Sequence, residues 1–196
     1  MSVGGSGQST DLLFEVVRAL NARGIQYAVI GAVAVSVHGV VRASVDADAL
    51  VSVALSELRV LANELTAQGL TTELRQGDDF DPIPAMLIVT DRYENRVDLL
   101  MGLRGLDVDV YQRAIDVQLP EYAHALRIAG KEDVIAMKLF AGGPVDLLDA
   151  KRLLAVAGSA LDTELLRRLV FRYGKDAVAH GEKLLSDKPS GASSGG

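Results

Sequence analysis

Apolar and polar residues follow each other along the chain with two different periods, which predict helices and strands. From Leu12 to Leu20 the apolar positions recur at the helical spacing, and Ser9 or Thr10 is placed to cap that helix. Gly24 follows as its stop signal. The same criteria predict further helices at 31–39, 55–67, 107–115, 131–142, 144–157, 162–172 and 174–185.

Short apolar runs, several of them alternating with polar residues, predict the strands. They span residues 26–30, 45–53, 70–75, 85–90, 96–101 and 125–128. The runs on either side of 91–95 are expected to form a hairpin. Strands dominate the first two thirds of the chain and helices the last third. This segregation predicts an α+β fold, with a sheet flanked by helices and a helical C-terminal annex.

Glycine and serine are concentrated at the two ends of the chain, outside the periodic segments. We therefore expect a flexible N-terminus at 1–9 and a disordered tail at 186–196. Between them, the pattern predicts a core at 10–129 and a helical C-terminal region at 130–185.

The strand at 45–53 carries the strongest chemical signal. Its odd-numbered residues are all apolar, whereas Asp46 and Asp48 point to the opposite face, because side chains alternate along a strand. Two carboxylates about 7 Å apart on a rigid strand repel each other unless a cation lies between them. Oxygen ligands of this kind suit Mg²⁺. We interpret the pair as a metal site rather than as solvated surface residues.

Asp98 is the best candidate for a third carboxylate. It alternates with Val97 and Leu99 in the strand 96–101, so it has the same polar-face position as the first pair. A third carboxylate can help to hold metal and can accept the proton of an attacking hydroxyl. A lone strand aspartate is also common without any such role, and both interpretations stay open.

The overall composition narrows the functional classes. A net charge of −6 and a pI of about 5.1 disfavour broad binding to nucleic acid. The absence of cysteine excludes disulfides and thiolate zinc sites, and three separated histidines make a His-rich metal site improbable. No secretory signal is recognisable, and no apolar stretch reaches the ~20 residues of a membrane span. We expect a soluble, cytoplasmic protein.

Gly31 adds a phosphate-binding feature upstream, because it follows a buried strand and opens a helix whose first N–H groups can bind an anion. Three segments together resemble the DNA polymerase β-like nucleotidyltransferase superfamily, in particular its branch of AbiEii-type toxins and minimal nucleotidyltransferases. They match the family's strand ending at Gly-Gly or Gly-Ser, its R-x-T-x-D-I-D motif, and its K-L-x-A and D-x-x-D elements. The segments are Tyr27-Ala-Val-Ile-Gly-Ala-Val-Ala-Val-Ser-Val-His-Gly39, Arg42-Ala-Ser-Val-Asp-Ala-Asp48, and Lys131-Glu-Asp-Val-Ile-Ala-Met-Lys-Leu-Phe-Ala-Gly142 with Asp146-Leu-Leu-Asp149.

The resemblance implies a mixed sheet and a metal-dependent nucleotidyltransferase, which moves an NMP from an NTP to an acceptor hydroxyl and releases pyrophosphate. By this resemblance Asp46 and Asp48 hold metal, with two Mg²⁺ ions expected. Asp98 assists as a metal ligand or as the base. Gly31 and Ser36 are expected near the phosphates.

Several candidates keep two interpretations. Ala32 stands where the family has a second Gly or Ser, so it lines the nucleotide site or weakens it. Arg42 contacts a phosphate or the acceptor, or it forms a structural ion pair. Lys138 taken alone is a solvated lysine, whereas the resemblance makes it the residue that neutralises the phosphates. Asp146 and Asp149 form an ordinary ion-paired surface or orient Lys138.

Two other features receive structural interpretations. His38 is expected to interact with the dipole at the end of its helix rather than to bind metal. The acidic loop 78–81 lacks the ordered spacing of a calcium loop and is read as solvated charge.

The biological role is open at the level of sequence. One expectation is the toxin of a toxin–antitoxin pair that modifies the tRNA 3′ end or a protein. A small polyol is a further candidate acceptor. The alternative class is a weak or inactive nucleotidyltransferase fold that acts as an antitoxin or a partner-binding module.

Overall fold

The computed structural model describes residues 7–42, 45–122 and 124–186 of the chain. Within these ranges the strands form one sheet in the order β3-β4-β5-β2-β1-β7-β6. The strands are β1 (Gln26–Ile30), β2 (Asp46–Ser52), β3 (Thr71–Gln76), β4 (Ala85–Thr90), β5 (Arg96–Leu100), β6 (Ile115–Val117) and β7 (Leu126–Ile128).

Helices follow the strands in the order that the sequence predicts and dominate the last third of the chain. They are α1 (Ser9–Ala22), α2 (Gly31–Val37), α3 (Leu55–Ala67), α4 (Val110–Arg113), α5 (Lys131–Ala141), α6 (Pro144–Ala157), α7 (Thr163–Arg172) and α8 (Lys175–Ser186). A 3₁₀ turn at Gly158–Ala160 joins α6 to the segment before α7.

The sheet is mixed at its centre, which decides where the charged residues meet. β2 runs parallel to β5 and antiparallel to β1, and β1 in turn runs parallel to β7. β4 and β5 form the predicted antiparallel hairpin. The predicted α+β fold, a mixed sheet flanked by helices, is confirmed.

Helices α1 and α3 pack against the sheet and against each other, and α1 contacts both β2 and β5. Leu13 and Val16 of α1 and Leu61 of α3 are fully buried. On β2, Ala47 and Ala49 are 1% and 0% exposed, so the apolar face of the metal-binding candidate strand lies in the core. The packing fixes β2 from one side and leaves its aspartate face for chemistry.

The C-terminal helices form a layer around α5. This helix contacts α6, α7 and α8, and it also contacts α2. Its residues Ile135 and Leu139 are buried in the common core. Through α5 and α2, the helical region is joined to the centre of the sheet, because α2 contacts both β1 and β2.

Ser9 differs from its prediction as a helix cap. Gln8 occupies the capping position, without a side-chain hydrogen bond, and Ser9 is the first helical residue. The Ser9 side chain is 5% exposed, donates to the carbonyl of Val45 and accepts from the backbone N–H of Arg96 at 3.3 Å. The residue joins α1 to the starts of β2 and β5, so it does not belong to a flexible lead.

Two strand boundaries also differ. Val45 is 78% exposed and precedes β2, because the strand begins only where pairing with β5 begins, at Asp46. The short β6 was not predicted; it adds to the sheet by antiparallel pairing with β7. Residues 1–6 and 187–196, which include most of the predicted flexible ends, lie outside the described residues. In the described part of the chain, no helix has the length and apolar character needed to cross a bilayer.

Candidate active site

Four charged side chains meet where β2 and β5 run in parallel. Asp46 and Asp48 share one face of β2, and the pairing register places Arg96 beside Asp46 and Asp98 beside Asp48. Paired residues on neighbouring strands point to the same face at a strand spacing of about 4.8 Å. We call Asp46, Asp48, Arg96 and Asp98 the strand cluster. The three aspartates therefore lie on the same face of the sheet, on the neighbouring strands β2 and β5.

Arg96 binds Asp98 at two points. Its Nε donates to Oδ1 and its Nη2 donates to Oδ2, each at 2.7 Å. The side chain of Asp98 is 10% exposed and that of Arg96 is 39% exposed, so the guanidinium covers a nearly buried carboxylate. The hydrogen bond with Asp98 raises the pKa of Arg96, against the opposing effect of its burial. Arg96 therefore carries its positive charge at every physiological pH.

Burial and two neighbouring carboxylates raise the pKa of Asp48 to about 6. Burial is the largest cause, and the charges of Asp46 and Asp98 act in the same direction, whereas Lys138 and Arg96 partly offset them. Keeping this carboxylate ionised at neutral pH costs free energy, which a nearby cation would reduce. Such groups are frequent at functional sites.

Gly31 makes room for Asp48. It is the first residue of α2 and has φ of +63°, a conformation that glycine adopts without strain. A Cβ at this position would lie 2.1 Å from Oδ2 of Asp48, far inside van der Waals contact. The structure thus brings Gly31 directly against the strand cluster, and any larger residue would have to displace the carboxylate.

A second charged group lies where α5, α6 and the segment before β2 meet. Lys138 donates to Oδ1 of Asp146 at 2.7 Å and lies 3.3 Å from Oδ2 of Asp149. Arg42 forms an ion pair with that same oxygen of Asp149, whose residue is 2% exposed. We call Arg42, Lys138, Asp146 and Asp149 the Lys138 cluster.

The contacts of the Lys138 cluster bear on the interpretations drawn from the sequence, which stay predictions. Arg42 forms an ion pair with Asp149, and Asp146 and Asp149 both contact Lys138. The Lys138 side chain is 12% exposed, so it is not a solvated surface lysine. Its charge nevertheless reaches the strand cluster, because it lowers the pKa of Asp48 against the larger raising effects.

A groove of about 590 Å³ opens beside Asp46. Ala32 and Ser36 of α2 line it together with Arg42, and the Ser36 hydroxyl donates to the backbone carbonyl of Arg42 at 3.2 Å. Three of the residues predicted at the nucleotide site therefore line one concave surface next to the first aspartate. A larger groove of about 890 Å³, between α1 and the β4–β5 turn, contains none of the candidate residues.

The strand cluster fits a divalent cation through two of its carboxylates. Asp46 and Asp48 present oxygen donors on one face of β2, and the raised pKa of Asp48 reflects a crowding that a cation relieves. Asp98, in contrast, has both oxygens bonded to Arg96. No group of three or more His, Cys, Asp or Glu residues is arranged for a metal ion in the ranges that the structure describes. The metal role of the three aspartates stays a prediction, and the ion pair with Arg96 makes Asp98 the least available of them.

The remaining candidates have structural contacts. His38 follows the last residue of α2, and its Nε2 lies 2.8 Å from the carbonyl oxygen of Ala129, so it ties α2 to the end of β7. In the acidic loop, Asp78 accepts from the backbone N–H of Phe80 at 2.8 Å and Asp81 from that of Asp78 at 2.9 Å. These aspartates stabilise the loop's own turn.

Arg96 is the residue that sequence reasoning missed. It stands two positions before Asp98 on the same strand, a spacing that places both side chains on one face. That spacing was a usable signal, since an arginine beside a buried strand aspartate is its nearest available partner.

Comparison with known proteins finds counterparts for the fold. No protein-family model matches the chain, and no curated protein matches it in sequence. The solution structure of the antibiotic-resistance factor ANT(2″)-Ia has a TM-score of 0.56 at 16% identity, covering 90% of this chain and 97% of that one. Its crystal structure in complex with adenylyl-2″-tobramycin gives 0.55 at 16% identity, with 85% and 99% covered.

A third structure is similar over nearly the whole chain. It is an antigenic nucleotidyltransferase-like protein from Paracoccidioides brasiliensis, with a TM-score of 0.51 at 14% identity and 93% and 92% of the two chains covered. At such low identities the likeness concerns the arrangement of helices and strands. The chain has the fold found in nucleotidyltransferases, as its motifs predict.

Proposed function

We propose that this protein is a metal-dependent nucleotidyltransferase, which moves an NMP from an NTP to an acceptor hydroxyl. The observation that carries the proposal is the meeting of Asp46, Asp48 and Asp98 on one face of two parallel strands. Burial, together with the charges of Asp46 and Asp98, raises the pKa of Asp48 to about 6. Carboxylates with pKa values perturbed in this way cluster at functional sites, which supports the proposal.

In the proposed reaction, the acceptor hydroxyl oxygen bonds to the α-phosphorus of the NTP. The bond from that phosphorus to the bridging oxygen breaks, and pyrophosphate leaves with the electron pair. The hydroxyl proton passes to a base, for which Asp98 is the candidate on the same face as the metal pair. Mg²⁺ held by Asp46 and Asp48 would bind phosphate oxygens and offset their charge.

The groove beside Asp46 is the proposed nucleotide site. Ala32, Ser36 and Arg42 line it, and Ser36 offers a hydroxyl on an exposed position of α2. Gly31, without a side chain, lets the Asp48 carboxylate lie directly against the start of α2. Lys138 contributes positive charge from its place between Asp146 and Asp149, where it favours the ionised form of Asp48.

The acceptor is proposed as a hydroxyl of RNA, of a protein or of a small polyol. The tRNA 3′ end and a protein side chain follow from the resemblance to AbiEii-type toxins, which makes a cognate antitoxin the corresponding partner. The likeness to ANT(2″)-Ia, solved with adenylyl-2″-tobramycin, supports a small aminoglycoside-like polyol. The net charge of −6 favours a cationic small molecule over RNA.

The test is transfer of label from each α-phosphate-labelled NTP, with Mg²⁺, into RNA, protein or a panel of aminoglycosides. The double variant Asp46→Asn/Asp48→Asn runs beside the wild type, and Asp78→Asn/Asp81→Asn serves as a matched control from the acidic loop. Label in one pool, lost in the first variant and kept in the second, supports the proposal and identifies the acceptor.

Absence of transfer in every pool would contradict catalysis. Binding of NTP with Mg²⁺ is then measured by thermal shift. Without that binding either, the antitoxin or partner-binding role becomes the better reading, and capture of a partner in the native host tests it.

A further inference from the structure

Arg96 places a permanent positive charge where a third metal-binding carboxylate would otherwise be available. Building on the proposed nucleotidyl transfer, we propose that this site takes one divalent cation, at Asp46 and Asp48. The guanidinium of Arg96 replaces a second cation by occupying Asp98 and by binding phosphate. Two-metal sites depend on carboxylates that bridge or flank both ions. In this chain one of the three carboxylates, that of Asp98, is instead paired with Arg96.

The geometry of the ion pair leaves Asp98 little to offer a metal. Both carboxylate oxygens accept a hydrogen bond from Arg96 at 2.7 Å, in the two-point arrangement that is strongest between these groups. Asp98 itself is only 7% exposed, so little of its surface remains for a metal ion to reach.

The pair is also costly to break. Removing Arg96 from Asp98 would leave a nearly buried carboxylate beside two others, and an uncompensated buried charge is strongly destabilising. The strand pairing holds Arg96 in place as well, because its backbone lies in register with Asp46. A second metal ion would have to displace Arg96 before it could bind Asp98.

Arg96 has capacity beyond Asp98. A guanidinium carries five N–H donors, and the ion pair uses one on Nε and one on Nη2. The side chain is 39% exposed and belongs to the same face of the sheet as Asp46 and Asp48, which leaves it room to donate further hydrogen bonds. Donors of this kind suit the oxygens of a transferring phosphoryl group, whose charge a second metal would otherwise offset.

The number of bound metal ions tests this directly. Mn²⁺ is titrated into the full chain in the presence of an NTP analogue with a methylene group between the α- and β-phosphorus, and protein-bound Mn²⁺ is counted by electron paramagnetic resonance. We expect one ion per wild-type chain and two per Arg96→Met chain, because methionine keeps the apolar length of the side chain and releases Asp98. Arg92→Met, at an exposed arginine of the β4–β5 turn, is the matched control and should bind one.

The outcomes separate this inference from the proposed function. Two ions in the wild type, or one ion in a folded Arg96→Met variant, would overturn the proposal that Arg96 takes the place of a second metal ion. The proposed nucleotidyl transfer would stand in either case. No ion in the wild type overturns both. Should Arg96→Met fail to fold by circular dichroism, the wild-type count still decides, and Arg96→Lys supplies a second variant that keeps the charge but loses the two-point geometry.

Discussion

The two charged groups of this protein differ in their balance of positive and negative side chains. The Lys138 cluster sets two cations, Arg42 and Lys138, against two carboxylates, and it is closed by ion pairs centred on the buried Asp149. The strand cluster sets a single cation, Arg96, against three carboxylates. In a balanced group each buried charge has a partner whose removal is costly, whereas an unbalanced group carries repulsion that a ligand of opposite charge would reduce. The two groups therefore differ in what we expect of them: a structural role for the first, and ligand binding for the second.

The largest expected effect comes from opening the balanced group. Asp149→Ala should lower the free energy of unfolding by about 3–5 kcal/mol, because it removes the buried carboxylate on which both cations depend. Urea denaturation measures the change. Glu73→Ala, which breaks the exposed pair with Arg75, is the control and should leave the midpoint unchanged. A small effect of Asp149→Ala would remove the structural role of the Lys138 cluster.

In the strand cluster the corresponding change should stabilise the protein. The pKa of Asp48 is raised in the folded state, so its ionised form opposes folding at neutral pH. Asp48→Asn should therefore raise the free energy of unfolding at pH 7 by up to about 3 kcal/mol while abolishing nucleotidyl transfer. Thermal unfolding and the labelling assay on the same preparation give both values.

The pH dependence has a definite sign. The folded state of the wild type keeps a proton on Asp48 up to about pH 6, whereas the unfolded chain releases it near pH 4. Asp48 thus contributes stability below about pH 4, and this contribution is lost as the pH rises through about 6. The difference between wild type and Asp48→Asn should grow across this window. A difference in the free energy of unfolding that stays constant with pH would mean that the pKa of Asp48 is not raised in the folded state.

A smaller effect is expected at the contact between α2 and the strand cluster. Gly31→Ala introduces a Cβ at 2.1 Å from Asp48 Oδ2, in addition to the strain of a positive φ. Gly24→Ala has nearly the same φ and no atom within 4 Å, so it isolates the backbone strain. We expect Gly31→Ala to cost about 2 kcal/mol more than this control and to weaken Mn²⁺ binding at least about tenfold. Equal losses of stability in the two variants would mean that the Asp48 carboxylate does not lie against Gly31 in solution.

The smallest effect should come from the exposed end of the Lys138 cluster. Asp146 is 29% exposed and shares Lys138 with the buried Asp149, so Asp146→Asn should cost only about 1 kcal/mol. The measurement is again urea denaturation. A loss as large as that of Asp149→Ala would contradict the central place given to the buried carboxylate.

Much of this architecture could be predicted because its signals are local. Helices α3 and α6 have the bounds that apolar spacing and the flanking Gly and Pro indicate, and alternation correctly put Asp46 and Asp48 on one face. The position of Gly31 between a strand and a helix predicts a tight turn, but the sequence does not show that Asp48 Oδ2 lies against this glycine.

Features that depend on tertiary contacts were not predictable in this way. The spacing of Arg96 and Asp98 allows their pairing, but the position of this pair beside Asp46 and Asp48 is set by the β2–β5 register. Ser9 has the sequence position of a cap, but its hydroxyl is used by the start of β2. The three residues of β6 carry too little periodicity to be recognised, and the strand exists only because β7 offers an edge.

The parallel pairing of β2 and β5 has a consequence for folding kinetics. Asp48 and Asp98 become neighbours only after the whole segment 53–95 has folded back and the β4–β5 hairpin has docked, a contact of high sequence separation. We expect their repulsion to enter late in folding, after the main barrier. Relieving it, as in Asp48→Asn, should slow unfolding and leave the refolding rate nearly unchanged. The electrostatic cost of the strand cluster should then appear in the rate of unfolding and not in the rate of folding.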